Sequence, residues 1–151
     1  MTTTATAARR SARPVLGAVY AGLALTVLAA LAPYLGTFTE VLADHVQSGY
    51  PDYSEAKVDE AVQAYQMLLA TVGVLGVVGW LWTLWTVRAG KRWAPVSATV
   101  LFLCALGVAV AGLTVEDANG EVGVPPLLGW ITALPCVAGL AVVVLLWRQR
   151  Q

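Results

Sequence analysis

Charge is scarce in this chain where a soluble protein would need it. Asp, Glu, Lys and Arg make up 12% of the 151 residues, and hydrophobic residues 58%. A soluble domain carries about 25% charged and about 45–50% apolar residues. A water-facing surface cannot be built from the present composition, so lipid has to cover much of it. Histidine occurs once and cysteine twice. Neither cysteine belongs to a C-x-x-C pair, which speaks against zinc sites of the usual Cys/His spacing and against quinone-linked dithiol chemistry. There is no phosphate-binding loop and no nucleophile elbow. The formal net charge is zero, which names no partner, and nucleic acid is not expected.

What the chain does have is four apolar runs, about Pro14–Tyr34, Tyr65–Val87, Ala94–Thr114 and Val124–Trp147, none holding Asp, Glu, Lys, Arg or His. Each is about 20 residues or slightly longer, enough for a helix to cross the ~30 Å hydrocarbon core. In lipid every backbone polar group needs an internal partner, so runs of this length predict helix. The chain suits one domain. The expectation is an all-α, integral membrane four-helix bundle at residues 14–151, preceded by a disordered basic tail at 1–13.

Orientation follows from where the charges fall. Eight of the nine basic residues are Arg9, Arg10, Arg13, Arg88, Lys91, Arg92, Arg148 and Arg150, at the N-terminus, the connector between spans two and three, and the C-terminus. Four spans put these segments on one face, which the positive-inside rule makes cytoplasmic. All nine acids, together with Lys57 and His45, fall on the opposite face. Both termini are therefore expected in the cytoplasm of a multi-pass protein of the cell membrane. The first span begins with basic residues, and Ala30-Leu31-Ala32 resembles a signal-peptide cleavage motif. Its apolar region exceeds the usual length, however, and Pro33 would follow the cut, so an uncleaved span is expected. Arg9-Arg10 needs no twin-arginine reading beside the positive-inside anchor.

The outer loop 35–64 holds six acids: Glu40, Asp44, Asp52, Glu55, Asp59 and Glu60. Phe38, Val41, Leu42 and His45 share one face at i, i+3, i+4, i+7. This predicts a short helix lying on the membrane surface or capping the bundle. Ser48-Gly49-Tyr50-Pro51-Asp52 breaks it. Ser54 then reads as the N-cap of one long helix over about 54–88. Pro14 suits the first turn of the first span. The small pairs Gly17/Ala21 and Ala18/Gly22 allow close helix contact. Gly73, Gly76 and Gly79 form a row that reads as a packing or interaction surface. Trp85, Trp93 and Trp147 fit an inner aromatic belt, whereas Trp80 lies deeper, between helices or against lipid. The segment 88–93 is a tight turn able to touch anionic head groups. Asp117 and Asn119 match the opening of a calcium loop, but the required glycine and glutamate are misplaced. Asn119-Gly120 makes a tight turn, and Pro135 is expected to kink the fourth span.

For chemistry, Glu40, Asp44 and His45 are the candidate metal ligands. Glu40 and Asp44 stack four apart, while His45 points about 100° away from Asp44 on a helix of 3.6 residues per turn, so one ion is hard to share. Cys104 and Cys136 reach similar depths in spans three and four, where a buried thiol is inert. Ionisable residues within the membrane normally mark proton relays and substrate paths, and these spans have none. A proton-coupled transporter is disfavoured.

The span pattern and the phrases GYPDYSEAKVDEAVQAY and GVPPLLGWITALPC resemble small, functionally uncharacterised four-span bacterial membrane proteins. The resemblance covers residues 15–148; it implies the fold and carries no activity or functional residue. The leading expectation is a non-enzymatic accessory or interaction protein, with no cofactor. Its expected partners are membrane lipids and either a protein or a second copy, met through helix faces or the outer loop. The alternative is an oligomeric transporter or channel for a neutral solute, and an enzyme with an outer-face site comes third.

Overall fold

The structure, a computed structural model, describes residues 3–116 and 124–150, with side chains from Arg13 onward. The turn expected around Asp117, Asn119 and Gly120 lies outside the described residues. Five helices follow in order: α1 (Thr3–Leu31), α2 (Gly36–Gly49), α3 (Glu55–Arg88), α4 (Ala94–Thr114) and α5 (Pro126–Arg148), with a 3-10 turn at Ala32–Tyr34. By length and composition α1, α3, α4 and α5 are long and apolar enough to cross a membrane. At ~1.5 Å per residue the 34-residue α3 is about 50 Å long, so it overreaches a ~30 Å hydrocarbon core.

Two local expectations change. α1 is helical from Thr3, so residues 3–13, expected as a disordered tail, extend it, and Pro14 sits inside the helix. Alanine and arginine dominate this stretch and are strong helix formers. Ser54 does hold the N-cap position of α3, but its side chain caps nothing. Its backbone carbonyl instead accepts from the N–H groups of Lys57 and Val58.

The helices pack in the order α3–α1–α5–α4, and a much more limited contact between α4 and α3 completes the ring. α1 is central because its buried positions, Val15, Val19, Gly22, Thr26 and Ala29, recur at alternating spacings of four and three. That spacing makes a continuous seam of the kind that packs helices nearly antiparallel. Across it, Gly22 faces Trp80, Thr26 faces Gly76 and Ala30 faces Gly73. Small residues of one helix receive larger ones of the other. The α4–α5 contact works the same way: Gly129 receives Leu113 and Gly139 receives Phe102.

Two apolar cores result. At the basic end, Val15 and Val19 of α1 meet Ala98 of α4 and Val142 and Leu146 of α5. At the acidic end, Leu42 and Val46 of α2 meet Val58, Val62 and Leu69 of α3 and Leu128 of α5. α4 contributes nothing to this second core.

Candidate functional site

The acidic end is built from the 3-10 turn outward. Pro33 sets the turn and is buried. Its carbonyl accepts two hydrogen bonds, from Thr39 Oγ1 at 3.0 Å and Gln66 Nε2 at 2.9 Å. The Tyr34 hydroxyl donates to the backbone carbonyl of Gln66 at 3.2 Å. These bonds tie the start of α2 to α3. Within α2 the buried side chains are Leu42, with none of its surface exposed, and Val46. Phe38, Val41 and His45 are half-buried beside them. Of the two expected placements, surface or cap, α2 takes the cap, because Leu42 and Val46 are covered by α3 and the start of α5. The Tyr50–Tyr53 turn joins α2 to α3, its rings stacked at 4.6 Å with Lys57 Nζ 5.5 Å from the Tyr53 ring centre.

The candidate ligands do not converge. Glu40 and Asp44 are exposed on the outer side of α2, and His45 turns toward the protein. Among the described residues no three His, Cys, Asp or Glu side chains are grouped to hold a metal ion. Asp52, Glu55, Asp59 and Glu60 are likewise exposed. Their common property is exposure at the acidic end, on α2, on the α2–α3 turn and on the first turns of α3.

Between the ends, the polar side chains of the long helices are occupied. Thr26, Thr71, Thr83, Thr86, Thr99 and Thr132 each donate to a carbonyl one turn back in their own helix, at 2.8–2.9 Å. A hydroxyl used this way needs no other acceptor. Three of the indole N–H groups find hydroxyl oxygens across helices: Trp80 to Thr26 at 2.8 Å, Trp82 to Ser97 at 3.1 Å and Trp147 to Thr99 at 3.1 Å. Trp80 thus packs between helices, over Gly22. Among the described residues no buried side-chain nitrogen or oxygen lacks a partner. A solute path would need polar groups turned toward a shared lumen, and these are turned into their own backbones. The groove along α1 and α3, lined by Val27, Ala30, Leu31, Gly73, Val74, Val77 and Val78, is wholly apolar. Cys104 and Cys136 are free thiols, the first exposed and the second half-buried.

The glycine row divides. A Cβ on Gly73 would collide with the Ala30 Cβ, and one on Gly76 would come within 2.8 Å of Thr26 Cγ2. Both positions are occupied by α1 and are closed to an external partner. Gly79 turns toward α4, where a Cβ would find ordinary contact with Leu101 at 3.9 Å. Of the α1 pairs, Ala18 and Gly22 turn inward, whereas Gly17 and Ala21 are exposed. Sequence reasoning passed over Gly129 and Gly139. Their only signal was small size within an apolar run, a signal Gly107 and Gly112 share without any neighbour near enough to touch a Cβ.

The basic end gathers the aromatic residues. Trp82, Trp85 and Trp93 form a tilted cluster with ring centres 5.3–6.4 Å apart. Lys91 Nζ sits 5.7 Å from the Trp85 ring centre, and the Arg150 guanidinium 5.7 Å from that of Trp147. Arg88 reaches α1, donating to the Tyr20 hydroxyl and lying over its ring.

No protein-family model, curated protein or solved structure matches the chain.

Proposed function

We propose that this is a multi-pass protein of the cell membrane with four spans, both termini cytoplasmic, acting as a non-enzymatic accessory protein that engages a protein partner through its acidic outer cap. Lipid is the solvent that suits the long helices. Only 11% of the α4 span and 17% of those of α3 and α5 is buried within the molecule. Leu75, Val78, Leu103, Val108, Val137 and their neighbours are exposed around the whole belt. Apolar patches of that extent mark membrane or protein contact. The segregation of basic and acidic residues to opposite ends supports the proposed orientation.

The observation that carries the accessory reading is the packed cap. Leu42 and Val46 hold α2 against Val58 and Val62 of α3, so the exposed acids Glu40 and Asp44 of α2 and Asp59 and Glu60 of α3 stand on two helices packed together. Pre-ordering lowers the entropy lost on association, and charge of one sign speeds encounter with a basic partner. The hydroxyls committed to their own helices weigh against a solute path.

The test is purification in native nanodiscs with determination of mass and of co-purifying protein. A stoichiometric partner retained by the wild type and lost from Glu40→Lys/Asp44→Lys supports the reading. A partner-free homo-oligomer that passes solute in liposomes overturns it. A turnover abolished by His45→Ala or Asp44→Ala would make the protein an enzyme. Orientation is tested on a background lacking Cys104 and Cys136. A cysteine placed at position 90 should resist an impermeant reagent added outside, and its labelling would reverse the topology.

A further inference from the structure

The turn between α3 and α4 has chemistry that the accessory reading leaves unused. α3 ends in a Schellman motif. The Lys91 N–H donates to the Thr86 carbonyl at 3.1 Å, and the Gly90 N–H to that of Val87 at 3.1 Å. Gly90 takes the left-handed conformation this ending requires, φ 62°. Ala94 N–H then bonds the Lys91 carbonyl at 3.0 Å and starts α4, with Trp93 at its N-cap position. The backbone from Thr86 to Ala94 is thereby fixed, which sets where its side chains leave the chain.

On this fixed turn stand two cations and two indole donors without a protein acceptor. Lys91 and Arg92 are exposed, and among the described residues neither meets a carboxylate. All the acids fall in the stretches 40–60 and 116–121, which border the opposite ends of the long helices. Arg88 is drawn away to Tyr20. Trp82, Trp85 and Trp93 stay 48%, 51% and 43% exposed. Trp82 donates to Ser97, while the indole N–H groups of Trp85 and Trp93 meet no acceptor among the described residues. The C-terminal basic segment, Arg148 and Arg150, differs in this respect, since its Trp147 already donates to Thr99.

We propose that the α3–α4 turn is a binding site for the phosphate of an anionic glycerophospholipid in the cytoplasmic leaflet, held by Lys91 and Arg92 with the Trp85 and Trp93 N–H groups as donors. The inference rests on the bilayer orientation proposed above. A phosphodiester supplies what the turn lacks, a compact anion with several acceptor oxygens. The three tryptophans, each about half-exposed, fit the glycerol and upper acyl region, since aromatic residues favour the membrane interface. A soluble anion would satisfy the charges but leave these rings uncovered.

The test titrates the full-length protein, in mild detergent, with phosphatidylglycerol or phosphatidylcholine and counts bound lipids by native mass spectrometry. At ~1 kcal/mol for each basic residue near the surface, Lys91 and Arg92 give the first phosphatidylglycerol about a 30-fold preference over phosphatidylcholine. Lys91→Gln/Arg92→Gln should erase most of it, and Arg148→Gln/Arg150→Gln should leave it. Trp85→Phe/Trp93→Phe, which keeps the rings and removes the donors, should lower it with the helical content unchanged. Equal binding of the two lipids by the wild type overturns the site. So does an equal loss in both basic double variants, which would reflect diffuse attraction. Displacement of the lipid by inorganic phosphate would make the turn a soluble-anion site and overturn the lipid assignment. Alkaline carbonate extraction of native membranes tests the underlying bilayer reading separately, since release of the protein would refute that reading whatever the lipid titration gives.

Discussion

Three alanine substitutions along the glycine row of α3 should differ in sign, because the same added methyl meets three different surroundings. In a helix interior glycine costs about 0.5–1 kcal/mol relative to alanine, so each substitution starts with a gain of that size. At Gly79 the new Cβ finds Leu101 at 3.9 Å, an ordinary contact, and the gain survives. At Gly73 it collides with the Ala30 Cβ. That atom is fixed to the α1 backbone and cannot turn away, so the helices must part. Overpacking of this kind costs about 1–3 kcal/mol, which outweighs the gain and leaves a net loss of up to about 2.5 kcal/mol. At Gly76 the obstacle is the Thr26 methyl at 2.8 Å. Rotating it would break the bond Thr26 donates to Gly22 and the one it accepts from Trp80, so Gly76→Ala falls between the other two. The predicted order of stability is Gly79→Ala, wild type, Gly76→Ala, Gly73→Ala, with the ends separated by the overpacking cost of about 1–3 kcal/mol, since the gain is common to both. Reversible unfolding in mixed micelles with increasing dodecyl sulfate, followed by helicity, would measure it. Ala30→Gly should restore part of the loss in the Gly73→Ala background, and the pair should couple in a double-mutant cycle. Equal effects at the three positions, or the greatest loss at Gly79, would refute the α1–α3 register.

Three further changes probe other parts of the fold. Leu42→Ala should loosen the cap by about 2–5 kcal/mol, the cost of emptying a fully buried leucine site, and be read as faster proteolysis within residues 36–54; an unchanged rate would mean that α2 is held by something else. Gln66→Ala removes one of the two donors to the Pro33 carbonyl and should cost about 0.5–1.5 kcal/mol, seen as faster amide exchange at the α1–α2 junction. Gly90→Ala forces a Cβ into the left-handed region at φ 62° and should cost about 1–2 kcal/mol in the same micelle titration; no loss would mean that α3 ends differently.

Much of the fold was legible in the residues. α4 runs over Ala94–Thr114, the limits of its apolar run, because Trp93-Ala94-Pro95 opens a helix. The long third helix and the short amphipathic α2 were readable from periodicity and from the Gly49–Pro51 break between them. The start of α1 was misplaced: Pro14 reads as a first-turn residue, yet helix-forming alanine and arginine carry the helix on the N-terminal side of it. The spacing of the candidate cation ligands was legible, with His45 about 100° from Asp44 on the helix. Which of them face solvent was decided by the packing, where Leu42 and Val46 turn inward and leave Glu40 and Asp44 exposed.

By itself, the sequence determined the number and order of the long apolar helices and the sorting of charge to their two ends. Hydropathy, turn residues and local charge act over a few residues, so they are written in the chain directly. The tertiary structure alone decided which faces meet. These helices are apolar all round, and without a polar side no periodicity marks the inward one. Selection then falls to the close fit of small against large. Gly22, Gly73, Gly129 and Gly139 receive Trp80, Ala30, Leu113 and Phe102, while Gly17, Gly107 and Gly112 meet nothing. That choice depends on residues more than fifteen positions away at Gly129 and more than thirty at Gly139, and no reading of the local pattern contains it.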